Sequence, residues 1–396
     1  MNLRKSTINP HPTPLPEGEG ASCKTTASAY SIEKLSLSNF RNYSSLSLEL
    51  NAEPAILTGA NGSGKTNILE AISFLSPGRG LRGIKLDEAD RRNQNTSWAI
   101  SAHISCGDDE VQIGTGRDAS SNSNKRIVKI DGDVVRGQAE LAQVFSVMWL
   151  TPQMDGLFLA ATSERRKFLD RLVYNFNPEH ASLVYSYEYS MRERAKLLQE
   201  NGDPSWLSVL EAKMAEKSVA IAIARMDAVN IIQDAINEST GVFPKAHLLV
   251  DGYVEGIVGN QPALQTEEQL KQKLRDAREH DARTGRTSIG THRSDLAVTH
   301  IEKKMPAGLC STGEQKAMLL AIILAEARAK AAWKNNVPVL LLDEVVAHLD
   351  ENRRNALFEE FLTMRAQVWM TGTDEALFQG LRGNAQFLKV DDGVVG

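Results

Sequence analysis

A Gly-rich run in the first fifth of the chain ends in a lysine and a threonine, residue types that can hold an anion and a metal ion. With the residue that follows, the run consists of Gly59, Ala60, Asn61, Gly62, Ser63, Gly64, Lys65, Thr66 and Asn67. It matches the P-loop pattern G-x-x-x-x-G-K-[ST], in which glycines let backbone N–H groups surround a diphosphate at a helix N-terminus. Lys65 is predicted to contact the β- and γ-phosphates, and the Thr66 hydroxyl to bind Mg²⁺. The run therefore predicts a nucleoside triphosphate site.

A second group of chemically capable residues follows an apolar run close to the other end of the chain. Residues 339–342 read Val-Leu-Leu-Leu and are followed by Asp343 and Glu344. A strand that is apolar throughout is typical of a parallel sheet covered on both faces, and the acids then emerge at its carboxyl edge, where ligands bind. Asp343 is predicted to hold Mg²⁺, and Glu344 to act as the base that polarises the attacking water. Together with the P-loop, this Walker B pattern completes the elements of an ATPase site.

Other polar residues follow the order found in ABC-type ATPases, in which two subunits enclose two ATP molecules. Ser311 and Glu314 form a capping box before an amphipathic helix. At this place in the order, Ser311 and Gly313 are predicted to present the helix N-terminus to the γ-phosphate that a second subunit holds. Three more positions fit the order: Gln153 as a Q-loop residue contacting Mg²⁺ and water, Asp350 in a D-loop at the dimer interface, and Thr371 as a switch residue at the γ-phosphate.

The elements that must position these residues predict an α/β fold of the ABC type, with a mixed sheet and an inserted, mainly helical lobe. Alternating Leu residues over 31–50 predict a β-hairpin, and residues 54–58 a buried strand before the P-loop. Ser163 is predicted to cap a first helix of the lobe, and Thr266 to open a later helix that ends near Arg283. We expect a disordered leader or misassigned start at 1–29, an ATPase domain at 30–160 and 286–396, and the helical lobe at 161–285.

Composition narrows the class of protein. The chain has 396 residues with 42% hydrophobic and 24% charged content, which is ordinary for a globular protein. The net charge of −5 excludes a uniformly basic surface but leaves room for a local basic patch. Three scattered cysteines match no metal or disulfide spacing, so we expect a reducing cytoplasm. The longest apolar stretch is too short to span a bilayer, so no membrane is expected among the partners.

From about Tyr30 onward the chain resembles the bacterial RecF family of SMC-like ABC ATPases. The resemblance rests on the motifs at residues 37–43, 59–66, 163–170, 291–296, 311–316, 342–344 and 349–350. Cys310 stands where the signature usually has an apolar residue such as Leu, and Thr291 where the family more often has Pro. What the resemblance implies is a cytoplasmic, ATP-dependent homodimer that binds gapped or junction DNA without sequence specificity, with weak, DNA-dependent ATP hydrolysis as a release timer.

The resemblance also implies protein partners and one further nucleotide contact. RecR and RecO would help this protein to load RecA, and Arg41 would lie near the nucleotide, as in SMC-like ATPases. No base-reading motif is visible, so contacts to the DNA backbone are expected. The candidate DNA-binding clusters are Arg79, Arg82 and Lys85; Arg91 and Arg92; Arg165, Arg166 and Lys167; and Lys271, Lys273, Arg275 and Arg278.

Three alternative functions remain open at the level of the sequence. An ATP-binding subunit of an ABC transporter shares the motifs, but it lacks a large helical insertion between the residues that correspond to Lys65 and Asp343. An SMC-like ATPase of DNA-break processing or chromosome structuring would need a coiled-coil arm, for which the middle block lacks a long heptad run. A nucleotide-gated adaptor would bind ATP without useful hydrolysis.

Overall fold

The computed structural model describes residues 27–91, 97–118 and 125–396 of the chain. The first strand begins at Ser28, so Ser28 and Ala29 belong to the fold and the predicted leader at 1–29 is too long at its end. The remainder of that leader, to residue 26, and the candidate DNA-binding residue Arg92 lie outside the described residues.

The secondary structure alternates between strands and helices along the chain. The strands are β1 (Ser28–Phe40), β2 (Tyr43–Glu49), β3 (Ala55–Thr58), β4 (Ala99–Cys106), β5 (Asp109–Arg117), β6 (Arg126–Ile130), β7 (Asp133–Val134), β8 (Val147–Leu150), β9 (Ala246–Asp251), β10 (Asp295–His300), β11 (Met305–Pro306), β12 (Asn336–Val337), β13 (Val339–Leu342), β14 (Val368–Gly372), β15 (Gln386–Asp391) and β16 (Val394–Val395). The helices are α1 (Lys65–Ser73), α2 (Leu141–Val144), α3 (Thr162–Tyr174), α4 (His180–Gln199), α5 (Pro204–Glu238), α6 (Tyr253–Val258), α7 (Ala263–Asp276), α8 (Arg278–Thr284), α9 (Thr312–Lys334) and α10 (Glu351–Met364). None of these helices combines the length and the apolar character that a membrane span requires.

The central sheet carries the nucleotide motifs. Its strand order is β16-β15-β3-β14-β13-β8, and the pairings from β15 to β8 are parallel. Successive side chains point to opposite faces of a sheet. Accordingly, Leu340 and Leu342 join one apolar cluster, which includes α9 and α10, whereas Val339 and Leu341 join another, which includes α1. Because both faces are covered, the apolar run in β13 is buried throughout, as predicted.

A second sheet is mainly antiparallel and packs against the face that carries α1. Its order is β12-β1-β4-β5-β6-β7, with β2 paired to β1. The predicted hairpin is confirmed, because β1 and β2 pair in antiparallel register with Leu37 opposite Leu46 and Leu35 opposite Leu48. This alternation buries the four leucines under the sheet.

Helix α5 connects the helical lobe to the ATPase core. Its N-terminal half packs with α4 and α7, and Met214 and Val219 belong to the same apolar cluster as Leu270 of α7. Its C-terminal half belongs to the same cluster as α9 and the central sheet, through residues such as Ile232. Strand β9 follows α5 in the chain and pairs in a three-stranded sheet with β10 and β11. The sequence does not predict this strand.

Two predicted helix starts are wrong, and each differs for a local reason. Helix α3 begins at Thr162 with Ala161 as the capping residue, so Ser163 lies in the first turn and makes no cap hydrogen bond. Helix α7 begins at Ala263 and ends at Asp276, and α8 follows as a separate helix. The Thr266 hydroxyl donates instead to the carbonyl of the residue four positions earlier, 3.3 Å away, which is how threonine behaves inside a helix.

Candidate nucleotide-binding site

The Gly-rich loop joins the carboxyl end of β3 to the start of α1 and is enclosed by neighbouring backbone. Gly59 has a φ of 152° and Gly64 a φ of 115°, conformations that favour glycine. A Cβ atom on Gly59 would lie 2.1 Å from the carbonyl oxygen of Val390 in β15. A Cβ atom on Gly64 would lie 2.5 Å from Nδ2 of Asn42, between β1 and β2. Both conformation and space therefore require glycine at these positions of the loop.

Lys65 folds back over the loop that precedes it. Its Nζ donates to the carbonyl oxygens of Gly59 at 2.7 Å and Ala60 at 2.8 Å. Burial lowers the pKa of Lys65, while the charges of Glu344 and Asp343 act in the opposite direction. The ammonium group is thus held at the loop by neutral carbonyl acceptors, so it can exchange these for the stronger attraction of a polyphosphate.

The loop also has a hydroxyl that the protein itself does not satisfy. The Oγ atom of Ser63 is buried and has no hydrogen-bond partner among the described residues. Buried polar groups in folded proteins nearly always have a partner, so an unsatisfied donor in a Gly-rich loop fits an anionic ligand. Together with the backbone N–H groups at the start of α1 and the ammonium of Lys65, this hydroxyl forms a donor set suited to phosphate oxygens.

A hydrogen-bonded chain joins the P-loop to the Walker B acids and to the end of β14. The Thr66 hydroxyl donates to Oδ1 of Asp343 at 2.9 Å, and the Thr371 hydroxyl donates to the same oxygen at 2.8 Å. The backbone N–H of Glu344 donates in turn to Oγ1 of Thr371 at 2.9 Å. Residues from three distant parts of the chain therefore meet at one edge of the central sheet, as the order of motifs predicts.

The donor set at this edge fits a magnesium ion. Thr66 and Asp343 supply a hydroxyl and a carboxylate oxygen, which are the hard ligands that Mg²⁺ prefers. Within the part of the chain that the structure describes, there is no cluster of three or more His, Cys, Asp or Glu residues that would form a closed metal site. Mg²⁺ is usually bound by one or two protein oxygens together with substrate phosphates and water.

Glu344, the second residue after β13, has an unusual backbone conformation. Its φ of 55° is left-handed, which costs a residue with a Cβ atom about 1 kcal/mol. Strand β13 ends at Leu342, two residues earlier, and the backbone N–H of Asp343 donates to the carbonyl oxygen of Leu150 in β8 at 2.9 Å. The chain therefore turns sharply between the two acids. Such strain at a half-buried acid beside a ligand site is typical of functional positions.

Arg41, in the turn between β1 and β2, contacts the P-loop helix α1, which the sequence does not predict. Its guanidinium donates two hydrogen bonds, at 2.8 and 2.9 Å, to the carboxylate of Glu70 in α1. Arg82 donates to the same buried carboxylate at 2.9 Å. The contact of Arg41 with nucleotide stays a prediction. In this structure its guanidinium is hydrogen-bonded to Glu70 of α1.

Two residues that support the loop were not identified from the sequence. Asn42 donates to the carbonyl oxygen of Ser63 at 3.2 Å and accepts a hydrogen bond from Asn67 at 2.8 Å. Glu70 anchors the two arginines described above. Both are common polar residue types without a fixed spacing to Lys65, but the Asn-Phe-Arg-Asn segment that contains Asn42 was a usable signal.

Ser311 and Asp350 both cap exposed helix N-termini. Ser311 caps α9 in the predicted capping box: its Oγ accepts from the N–H of Glu314 and donates to the Glu314 carboxylate at 2.9 Å. Hydrogen bonds from Lys303 and Ser311 lower the pKa of Glu314 to about 2. Asp350 caps α10 by accepting from the N–H of Arg353 at 2.9 Å. Ser311, Gly313 and Asp350 are exposed, and among the described hydrogen bonds and ion pairs none connects them to residues 59–67 of the same chain.

Gln153 follows β8 in a short helical turn, Pro152–Met154, and is exposed. The cavity next to Asp343 and Glu344 is lined by its neighbours Pro152 and Asp155, and Gln153 is not among the lining residues. The structure therefore does not bring this glutamine to the acids, and its role at Mg²⁺ stays a prediction.

Most of the candidate DNA-binding cations have partners within the protein. The partners are Glu70 for Arg82, Asp295 for Arg165, the Ser294 carbonyl for Arg166, Glu164 for Lys167, Glu268 for Lys271, the Tyr253 ring for Lys273 and Glu211 for Arg278. Such pairs are typical of structural arginines and solvated helix faces. Arg79 and Lys85 instead line a cavity with other basic residues.

Comparison with known proteins gives concordant results at the level of sequence. The model of the RecF/RecN/SMC N-terminal domain family matches residues 31–395. The chain is similar to the DNA replication and repair protein RecF of Mesorhizobium japonicum, with 44% identity over 368 residues that cover 92% of this chain and 97% of the relative. It is also similar to the protein of that name from Brucella suis, with 46% identity over 369 residues, 92% of this chain and 95% of the relative.

Similar solved structures show the same architecture. The recombination mediator protein RecF with ATP, described in the RecFOR pathway, matches with a TM-score of 0.80 at 22% identity, over 93% of this chain and 99% of that chain. The Smc head domain with an extended coiled coil from Pyrococcus furiosus, bound to the C-terminal domain of ScpA, matches with a TM-score of 0.51 at 16% identity, over 92% of this chain and 95% of that chain. At these identities the likeness establishes the fold, which is the predicted ABC/SMC-type ATPase head.

Proposed function

This chain belongs to the RecF family of DNA replication and repair proteins, and on that premise we propose that it is a cytoplasmic, ATP-gated DNA-binding protein of recombinational repair. The observation that carries the proposal is the series of hydrogen bonds from Thr66 through Asp343 and Thr371 to the backbone of Glu344. It connects the residue types that bind Mg²⁺ and phosphate with those that activate water. ATP binding is supported by the Ser63 hydroxyl, which has no hydrogen-bond partner among the described residues. It is also supported by the Lys65 ammonium group, whose hydrogen bonds go to neutral carbonyl oxygens.

Each residue of the site would have its own role in ATP hydrolysis. Lys65 and the backbone N–H groups of the loop would bind the phosphates, while Thr66 and Asp343 would hold Mg²⁺, which supplies charge neutralisation at the phosphates. Glu344 would accept a proton from the attacking water. The Thr371 hydroxyl donates to the Asp343 carboxylate and holds it in place. A contact of Gln153 with Mg²⁺ would require the turn Pro152–Met154 to move.

A second copy would complete each site. Ser311, Gly313 and Asp350 are exposed and have no described contact to the P-loop of their own chain, so they are free to face the γ-phosphate held by a partner copy. The N–H groups at the start of α9 and the helix dipole favour that anion. Because half of each site would then come from the other chain, ATP would join two copies, and slow hydrolysis would release them.

DNA and protein partners follow from the family premise. The relatives are DNA replication and repair proteins, and one similar structure is described in the RecFOR pathway. We therefore infer that the dimer binds gapped or junction DNA and assists the loading of RecA together with RecO and RecR. Contacts of cations to the DNA backbone would make this binding fall steeply with salt. The domain division at 30–160, 161–285 and 286–396 is part of the same proposal.

One experiment tests the ATP gate. Wild type, Lys65→Met and Glu344→Gln are sized by light scattering with and without ATP and Mg²⁺, and their affinity for gapped and blunt duplex is measured across salt. We expect Glu344→Gln to remain a dimer with ATP and to retain gapped DNA, and Lys65→Met to stay monomeric. A monomeric Glu344→Gln protein in saturating ATP would contradict the proposal that ATP joins two copies. Binding of gapped DNA that does not depend on ATP would favour a nucleotide-independent role.

A further inference from the structure

A cavity of about 790 Å³ lies beyond the C-terminal end of α1, between the loop that follows this helix, β6 and the segment after β7. Its charged residues are predominantly basic. Among the described lining residues they are Arg79, Lys85, Lys125, Arg126, Arg136 and Asp118. The whole chain has a net charge of −5, so this surplus of positive charge is local. A concave site lined by one sign of charge concentrates ions of the opposite sign.

Arg126 forms the floor of the cavity and fixes its shape. The residue is only 7% exposed, and its guanidinium donates to the Thr115 hydroxyl at 2.8 Å and to the Gln138 side-chain carbonyl at 3.1 Å. It also donates to the backbone carbonyls of Phe74, Ser76 and Gly78 in the loop after α1. The structure assigns it no carboxylate partner among the described residues. Burial lowers its pKa to about 9, which leaves the guanidinium charged at neutral pH. Neutral acceptors satisfy the hydrogen bonds of this guanidinium but leave its charge without a counter-ion among the described residues, so Arg126 adds to the positive potential of the cavity.

We propose that this cavity binds phosphate groups of a DNA strand end or of an unpaired nucleotide, an inference that rests on the proposed DNA-binding function. Its volume falls within the 300–1,000 Å³ typical of sites that enclose small ligands. An intact duplex presents its phosphates on a convex surface and reaches only the rim of such a site. A strand end or a nucleotide outside the helix can enter it. Arg79, Lys85 and Arg136 line the cavity with exposed side chains and supply the donors that suit phosphate oxygens within it.

The cavity is mechanically connected to the nucleotide site. Arg82, in the same loop as Arg79 and Lys85, donates to Asn67 and Glu70 in α1, each at 2.9 Å. Helix α1 begins with Lys65 at its other end. The loop that contributes the cavity wall is therefore hydrogen-bonded to the helix that carries the phosphate-binding lysine.

The test compares two triple variants of equal charge change. The first is Arg79→Gln, Lys85→Gln and Arg136→Gln in the cavity; the control is Lys196→Gln, Lys213→Gln and Arg283→Gln, three exposed cations of the helical lobe that belong to no candidate DNA-binding cluster. Affinity for a fluorescent gapped duplex is measured by anisotropy with ATP across salt, with a phosphate or a hydroxyl at the 5′ end in the gap. We expect the cavity variant to bind at least tenfold more weakly, with a salt slope reduced by about 2 to 3. We also expect it to lose the preference of wild type for the phosphorylated end, while the control stays within twofold of wild type.

The outcomes separate this inference from the proposed function. If wild type shows no ATP-linked dimer and no binding of gapped DNA, the proposed function fails. If wild type behaves as proposed but the cavity variant binds like the control, the cavity inference alone is overturned. Equal binding of phosphorylated and hydroxyl ends by wild type would overturn the assignment to a strand end. Displacement by millimolar inorganic phosphate at constant ionic strength, with unchanged DNA affinity of the cavity variant, would indicate a small-anion site and contradict the proposal.

Discussion

Replacing Glu70 by Gln should destabilise the ATPase core far more than the same change at an exposed glutamate. The Glu70 carboxylate is buried and accepts three hydrogen bonds, two from Arg41 and one from Arg82, at 2.8 to 2.9 Å. Bonds to charged groups each contribute about 1.5 to 3 kcal/mol, and one uncharged amide oxygen replaces at most part of this set. The arginines are 20% and 28% exposed, so water recovers some of the loss. We expect the free energy of unfolding to fall by about 3 kcal/mol.

The matched control is Glu49→Gln, which makes the same chemical change at an exposed ion pair. Glu49 and Lys34 lie 3.4 Å apart with side chains 83% and 44% exposed, so this variant should lose less than about 0.5 kcal/mol. Urea titrations followed by tryptophan fluorescence and far-ultraviolet circular dichroism give both values, provided that the two probes report one transition. If Glu70→Gln were as stable as Glu49→Gln, the view that Arg41 and Arg82 hold the P-loop helix through this carboxylate would be refuted.

Three further predictions concern the same core. Thr371→Val removes the hydroxyl that donates to Asp343 and accepts from the Glu344 backbone, so we expect a loss of about 2 kcal/mol in urea titrations and a clearly weaker Mg²⁺ dependence of ATP binding. Gly59→Ala would place a Cβ atom 2.1 Å from the Val390 carbonyl, and filter binding should show at least tenfold weaker ATP affinity in a protein that still folds. Burial raises the pKa of Glu326 in α9 to about 7, above its unfolded value, so its contribution to stability is present below about pH 4.5 and is lost as pH rises to about 7. Glu326→Gln should therefore be more stable than wild type at pH 8, by a margin on the order of 3 kcal/mol that disappears near pH 5, and thermal unfolding at both pH values checks this.

The motifs that bind ligands could be predicted from the sequence because their chemistry requires fixed residue types at fixed spacing. The P-loop tolerates only glycine where β15 and the first hairpin touch it, and a capping box requires Ser311 and Glu314 three positions apart. The apolar run before Asp343 identified its strand as central, since both faces of the sheet are covered. These are local constraints, and they appear directly in the sequence.

The remaining features depend on contacts between distant residues. Glu70 and Asn42 are ordinary polar residues whose importance arises only when the first hairpin meets α1. The start of α7 was misplaced because the Thr266 hydroxyl can bond to a carbonyl inside a helix as well as cap one. The basic cavity joins Arg79 and Lys85, which lie in one candidate DNA-binding cluster of the sequence, to Lys125 and Arg136 from segments that the sequence does not connect with them.

A complementation experiment tests the central claim, that each ATP site combines the P-loop of one copy with the signature helix of the other. Lys65→Met disables the loop, and Ser311→Arg blocks the signature helix, so neither variant alone can form an intact site. In a mixed dimer, the loop of the Ser311→Arg copy faces the signature helix of the Lys65→Met copy, and one of the two sites is whole. We predict that each variant alone hydrolyses no ATP in the presence of gapped DNA and that the equimolar mixture recovers activity. A mixture as inactive as the separate variants would contradict the composite site.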